Sequence, residues 1–335
     1  MFGATEMKDC LMTFSKWTAL LIWAITSALG GAAFAQDWPS RPIKIVVPFP
    51  AGGNTDAVAR ITATRLQELL GQNVVVENKA GAGGVIATDF VAKSPADGYT
   101  LLMSSTGPHT VMPAMMPKIP YDAVRDLAPI SNVASNAQVL LVHASFPAKT
   151  VPELIALLKK EPGKYAFGSG GVASTTHMSG ELFKTMAGVD MIHVPFKGGA
   201  PLAVASISGE IPISFNNMYD ALPHIRSGRL RGLAVTSATR QSPLPDVPSL
   251  AELGLTGYES GPWNGLVAPA KTPPEIISRL AAATQKIVRE PAFLARMQEI
   301  GSVPIGDTPD QFRAYIQIEL ARWSKVVKDS GAKLD

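Results

Sequence analysis

The chain has 335 residues, of which 30 are Lys or Arg and 27 are Asp or Glu, for a formal charge of +3. That balance excludes a basic nucleic-acid surface and a polybasic membrane motif, and the length allows one large domain or two ordinary ones. A single cysteine, Cys10, excludes an internal disulfide framework, so stability has to come from an apolar core.

Lys8 and Lys16 precede an apolar segment from Trp17 to Ala28, and Gly30-Gly31-Ala32-Ala33-Phe34-Ala35 follows. A charged start, a short apolar run and an Ala-x-Ala ending predict an export signal over residues 1–35, cleaved after Ala35. The apolar run is shorter than the ~20 residues that cross a bilayer comfortably. Cys10 belongs to the signal, which leaves the mature chain without a thiol.

The mature chain then alternates strand and helix, the pattern of an α/β protein. Ile43 to Val47 is β-branched apart from Lys44, as a covered parallel strand should be. Pro48 and Pro50 end it, and Gly52-Gly53 let the backbone turn close to a ligand. Asn54, Thr55 or Asp56 caps a helix running through Val58, Ile61, Leu66 and Leu69. Free N–H groups at such a helix start favour an anion. A strand over Val74 to Glu77 leads to the glycine turn Asn78 to Gly84 and a helix over Ile86 to Lys93. The next strand, Thr100 to Ser104, ends in a polar loop, with Ser104 and Thr106 as candidate ligand contacts. Irregular chain from Val111 to Pro120 precedes strands at Leu127 to Val133 and Val139 to His143.

The device of strand, glycine turn and helix recurs after a helix from Val151 to Glu161. The Tyr165 strand runs into Ser169-Gly170-Gly171, then Ser174, Thr175 and Thr176 as cap residues, with His177 at the helix start. Such turns are ordinary in α/β proteins. Their occurrence in pairs behind an export signal points to two lobes that present amides to one small anion. A strand at Met191 to Val194 opens the glycine turn at Lys197-Gly198-Gly199, and the strand from Ile211 ends in Asn216, Asn217 and, shortly after, Asp220. Leu230 to Ala238 is a further strand, and the Pro-rich segment from Ser242 to Ser249 precedes a short helix. Tyr258 to Ala268 reads as a strand returning to the first lobe, and Pro273 to Glu290 and Pro309 to Lys328 as amphipathic helices.

Trp38-Pro39-Ser40-Arg41-Pro42-Ile43, Pro48-Phe49-Pro50-Ala51-Gly52-Gly53 with Asp56, Asn78 to Gly84 and Ala96-Asp97-Gly98-Tyr99-Thr100 together resemble the Bug-type receptors of tripartite tricarboxylate transporters. His177, Val194-Pro195-Phe196-Lys197-Gly198, Gly228-Arg229-Leu230-Arg231 and Trp263-Asn264-Gly265 extend the resemblance over the mature chain. It implies an α/β, two-lobed Venus-flytrap fold of the type II periplasmic-binding-protein kind, each lobe a mostly parallel sheet flanked by helices. Lobe 1 would be residues 36–135 plus 258–335, and lobe 2 residues 136–257. It also implies a periplasmic receptor that acts as a monomer, binds a small carboxylate without a cofactor and delivers it to small and large permease subunits. By resemblance the backbone of Phe49, Pro50, Ala51, Gly52 and Gly53 holds one end of the ligand and the turn from Ser169 to Thr175 the other. Two departures alter the far contacts: Asn216 stands where an Asp is frequent, and Thr175-Thr176 replace the commoner Pro-Ser type pair.

Two other roles compete with uptake. A loaded receptor could signal to a membrane sensor kinase, since both roles use the outer faces of the lobes. An exported α/β enzyme is the remaining class, but neither Gly-x-Ser-x-Gly nor His-Glu-x-x-His occurs. Gly168-x-Gly170-x-x-Ala173 has the form of a dinucleotide turn, yet no acid stands at the end of the following strand to meet a ribose.

Overall fold

Strand β1 (Ile43–Val47) is almost wholly buried because it is flanked on both edges, in parallel, by β2 (Val74–Asn78) and β3 (Thr100–Ser105). The computed structural model describes residues 38–333, and its main compact unit starts at Arg41, so the export signal expected at residues 1–35 lies outside the described residues. Helix α1 (Asn54–Leu70) follows β1 and buries Val58, Ala59, Ala63 and Leu66, the spacing of a helix laid on a sheet. It stops at Gly71, whose left-handed backbone lets its N–H reach Gln67 O. Helix α2 (Val85–Ala92) follows β2.

After β3 the chain makes a π turn over Gly107–Val111 and a short helix α3 (Met112–Met115), where irregular chain was expected. Strand β4 (Leu127–Asn136) passes through Ala137 into β5 (Gln138–His143). The middle of the chain supplies α4 (Val151–Lys160), β6 (Ala166–Ser169), α5 (Thr175–Ala187), β7 (Ile192–Pro195) and α6 (Gly199–Ser208). It continues with β8 (Ile213–Asn217), α7 (Met218–Arg226) and β9 (Leu230–Val235). The chain returns as β10 (Trp263–Pro269) and ends with α8 (Pro274–Ile287), α9 (Pro291–Glu299), β11 (Ser302–Pro304) and α10 (Pro309–Ser330).

These strands form two sheets, six strands in the order β11-β4-β10-β3-β1-β2 and five in the order β7-β6-β8-β5-β9. Both are mixed, which corrects the expectation of mostly parallel sheets. β10 is antiparallel to β3 and to β4, and β5 is antiparallel to β8 and to β9, because these strands enter from the opposite sheet instead of through a crossover helix. Two further differences are local. The segment after Ser249 makes turns, not a helix, and β10 begins at Trp263 rather than Tyr258. Gly261 is held so close to Asn136 O that a Cβ there would overlap it, so ladder pairing starts beyond it. Helix α9 and strand β11 were not anticipated.

The two passages between sheets are tied to each other. Gln138 N donates to Thr236 Oγ1 at 2.9 Å and Thr236 N to Gln138 O at 2.9 Å, while Ser260 N donates to Thr236 O at 2.9 Å. Asn136 N donates to Pro262 O at 2.9 Å. Beneath the C-terminal helix, Val111, Met112, Trp323 and Val327 pack with Ala173 and Met178, so loops of both sheets share one apolar cluster. Trp323 is fully buried, with its Nε1 donating to Glu319 Oε2 at 2.8 Å.

Candidate functional site

On the first sheet the site is the loop between β1 and α1. Gly52 has φ +85°, a left-handed conformation that a side chain would strain. Asp56 holds the bend: its Oδ2 accepts from Gly52 N at 2.9 Å and Arg60 Nε at 3.0 Å, its Oδ1 from Asn78 Nδ2 at 2.9 Å. Burial works to raise the Asp56 carboxyl, but the hydrogen bonds from Arg60, Gly52 and Asn78 outweigh it and hold the group below the usual carboxylate range. Helix α1 has no side-chain cap, so its first-turn N–H groups are open to a ligand. Asn54 and Thr55 of that turn line the cleft and are fixed from behind by Asn264, which accepts from Asn54 Nδ2 at 3.1 Å and donates to Thr55 Oγ1 at 3.0 Å.

The second sheet differs from expectation in one respect. The amides of Gly170, Gly171, Ala173 and Ser174 are committed within the turn or to the first turn of the helix after it. Gly170 N donates to Thr176 Oγ1 at 2.8 Å, Gly171 N to Ser169 Oγ at 3.2 Å, Ala173 N to His177 Nδ1 at 3.2 Å and Ser174 N to Gly171 O at 3.2 Å. The donors on this side are helix starts instead. Thr175 and Thr176 open α5, and Gly199 and Ala200 open α6, whose terminus has no side-chain cap.

These parts enclose one cleft with about 780 Å³ of space free of protein atoms, its mouth included. Phe49, Pro50, Ala51 and Gly53 line it from the first sheet. Gly170, Ser174, Thr175, Lys197, Gly198, Gly199 and Asn216 line it from the second. Lys197 and Asp220 are the charged side chains among the lining residues. Asn216 is 1% exposed; its Nδ2 donates to Ser214 Oγ at 3.2 Å, and its Oδ1 has no partner. Asp220 packs so tightly on Gly199 that a Cβ there would overlap its carboxylate. Burial pushes its carboxyl up to about 6, against a smaller opposing pull from the Asn217 amide.

The remaining expected residues stand behind the walls. Gly52 and Asp56 shape the bend, as above. Ser104 Oγ bonds His109 Nδ1 at 2.9 Å and Thr106 Oγ1 accepts from Trp263 N at 3.0 Å, both fully buried. Ser105 lines the cleft in their place, because neighbouring strand residues face opposite ways. Ser169 Oγ bonds His193 Nε2 at 2.6 Å, and Gly171 O accepts from Ser174 Oγ at 2.6 Å. His177 stacks on His193 with ring centroids 3.8 Å apart, and burial lowers it to about 3, with the charges of His193 and Lys184 adding to the effect. It is a neutral packing residue. Trp263 is fully buried, edge-on to His109 and Phe312. Asn54, Thr55 and Ser105 line the cleft without having been expected as contacts; the rule that first-turn helix residues face the ligand would have found Asn54 and Thr55.

A family profile described as "Tripartite tricarboxylate transporter family receptor" matches residues 58–332. Protein BugT of Bordetella pertussis is 41% identical over 325 residues, covering 96% of this chain and all of the relative. An R. palustris protein solved with adipate has 38% identity and a TM-score of 0.85, covering 89% of this chain and 100% of that one. MatC of Rhodopseudomonas palustris, solved with bound malate, has 31% identity and a TM-score of 0.81 over 87% of this chain and 100% of its own.

Proposed function

Because the chain belongs to the tripartite tricarboxylate transporter receptor family, we propose that it is a solute receptor of the periplasm that closes two lobes over a small carboxylate and delivers it to small and large permease subunits. The observation that carries this reading is the convergence of three helix starts, those of α1, α5 and α6, on one cleft between two sheets. Such termini hold an anion through main-chain donors and partial charge without an arginine. The relatives solved with adipate and malate support the choice of a carboxylate. Ser174 and Thr176 bond each other at 2.9 Å, and neither His nor Cys lines the cleft, which favours binding over hydrolysis. The lobes of this reading are residues 36–135 plus 258–335 and residues 136–257, and the export signal ends at Ala35.

The test is a thermal-shift screen of residues 36–335 against carboxylic acids. A ligand at about 100 times its dissociation constant adds ~2.7 kcal/mol of stability. Silence across carboxylates with a response to nucleotides would overturn the reading.

A further inference from the structure

One wall of the cleft presents two side-chain acceptors beside the start of α6. Asn216 lines it with a buried side chain whose Oδ1 has no partner, and its amide nitrogen is already committed to Ser214. Asp220 lies on the same wall, at the next helix, and has one hydrogen bond, a long one of 3.4 Å from Asn217 Nδ2. Among the described residues no Lys, Arg or His forms an ion pair with Asp220. The Asp220 carboxylate packs against Gly199 at the start of α6, where the N-cap residue Gly198 offers no side chain. A carbonyl buried without a partner is costly unless a donor meets it, and a half-buried carboxylate with one long hydrogen bond is open to a further donor.

We propose that the ligand carries, besides its carboxylate, a cationic nitrogen that is received by Asp220 and Asn216, so that the cleft selects amino-carboxylates over simple dicarboxylates. The inference rests on the carboxylate-receptor reading above. The helix starts of α1 and α5 take the ligand carboxylate, and the ammonium group satisfies both acceptors at once. A second carboxylate at that wall would face a like charge and a carbonyl oxygen, while the start of α6 beside it already faces the Asp220 carboxylate. The lining carries one basic and one acidic side chain, Lys197 and Asp220, the charge pattern complementary to a zwitterion.

Isothermal titration of residues 36–335 decides the matter with matched probe pairs. Succinate, glutarate and adipate are each compared with the ω-amino acid and the ω-amide of the same carbon number, and malate with aspartate. The expected result is an amino probe bound at least about tenfold more tightly than its dicarboxylate partner. Asp220→Asn and Asp220→Ser, each with an unchanged melting transition or a higher one, should bring that ratio to one or below. Equal or tighter binding of the dicarboxylates, with a ratio unmoved by either variant, overturns the selectivity while leaving the carboxylate receptor standing. Preference for the amides overturns the cationic nitrogen in favour of a neutral donor. Silence of every carboxylate in the panel removes both readings.

Discussion

Asp56 is buried and Asp220 half-buried, and pH separates the two carboxyls. Asp56 is held low by its donors, so it stabilises the folded chain above the ordinary carboxylate range and that contribution is lost in acid. Asp220 is raised to about 6, so between its unfolded value and that point the folded chain holds a proton the unfolded chain lacks. Its effect on stability is therefore most favourable in acid and is lost as pH rises through about 6. Melting of Asp220→Asn against the parent should show the variant gaining advantage from about pH 5 to pH 7; an advantage that is flat or shrinks contradicts the unpaired state. Asp56→Ala removes three hydrogen bonds and should cost about 2 kcal/mol or more, read by urea unfolding. Gly53→Val is different in kind. An added Cβ there meets only Pro50 O, at 3.9 Å, so the chain should melt normally while carboxylate binding is lost. Gly53, Gly170 and Lys197, which line the cleft, were readable from their motifs. Ser104 and Thr106 were misplaced because alternation along β3 tells which residues share a face, not which face is wetted.

On the second sheet the open donors lie at helix starts and not in the glycine turn that was expected to supply them. The turn after β6 uses its own amides to hold Ser169, Thr176 and His177, and that internal use leaves no mark in the sequence. Elements with strong periodicity, such as α1 and β1, were legible because a covered strand and an amphipathic helix each impose a pattern. Helix α9 escaped notice because it buries only Phe293 and Met297, too few positions to make a periodic signal. Strand β11, three residues long, is defined only by its pairing with β4. At the far end, α10 begins with a reciprocal capping box of Thr308 and Gln311. Thr308→Ala should cost about 1 kcal/mol in thermal unfolding and leave carboxylate affinity unchanged. A change in affinity would mean that the C-terminal helix reports to the cleft.

At the scale of the molecule, two passages of chain connect the sheets, and they are stitched by Gln138, Thr236 and Ser260. The apolar cluster of Met112, Met178 and Trp323 adds contact between parts belonging to both sheets. Opening the cleft would require bending at the passages and separating that cluster. The two-lobed plan was legible from repeated strand-turn-helix units and from family resemblance. The mixed strand directions were not, since they follow from which sheet a strand returns to. The central claim is that first-turn amides of α1 and of α5 opposite it hold a ligand carboxylate. A crystal structure of residues 36–335 with the tightest carboxylate from titration tests it most directly. The account predicts carboxylate oxygens within hydrogen-bonding distance of N–H groups at Asn54 or Thr55 and at Thr175 or Thr176. A carboxylate seated instead on the Lys197 side chain at the mouth, with those amides turned to water, would contradict it.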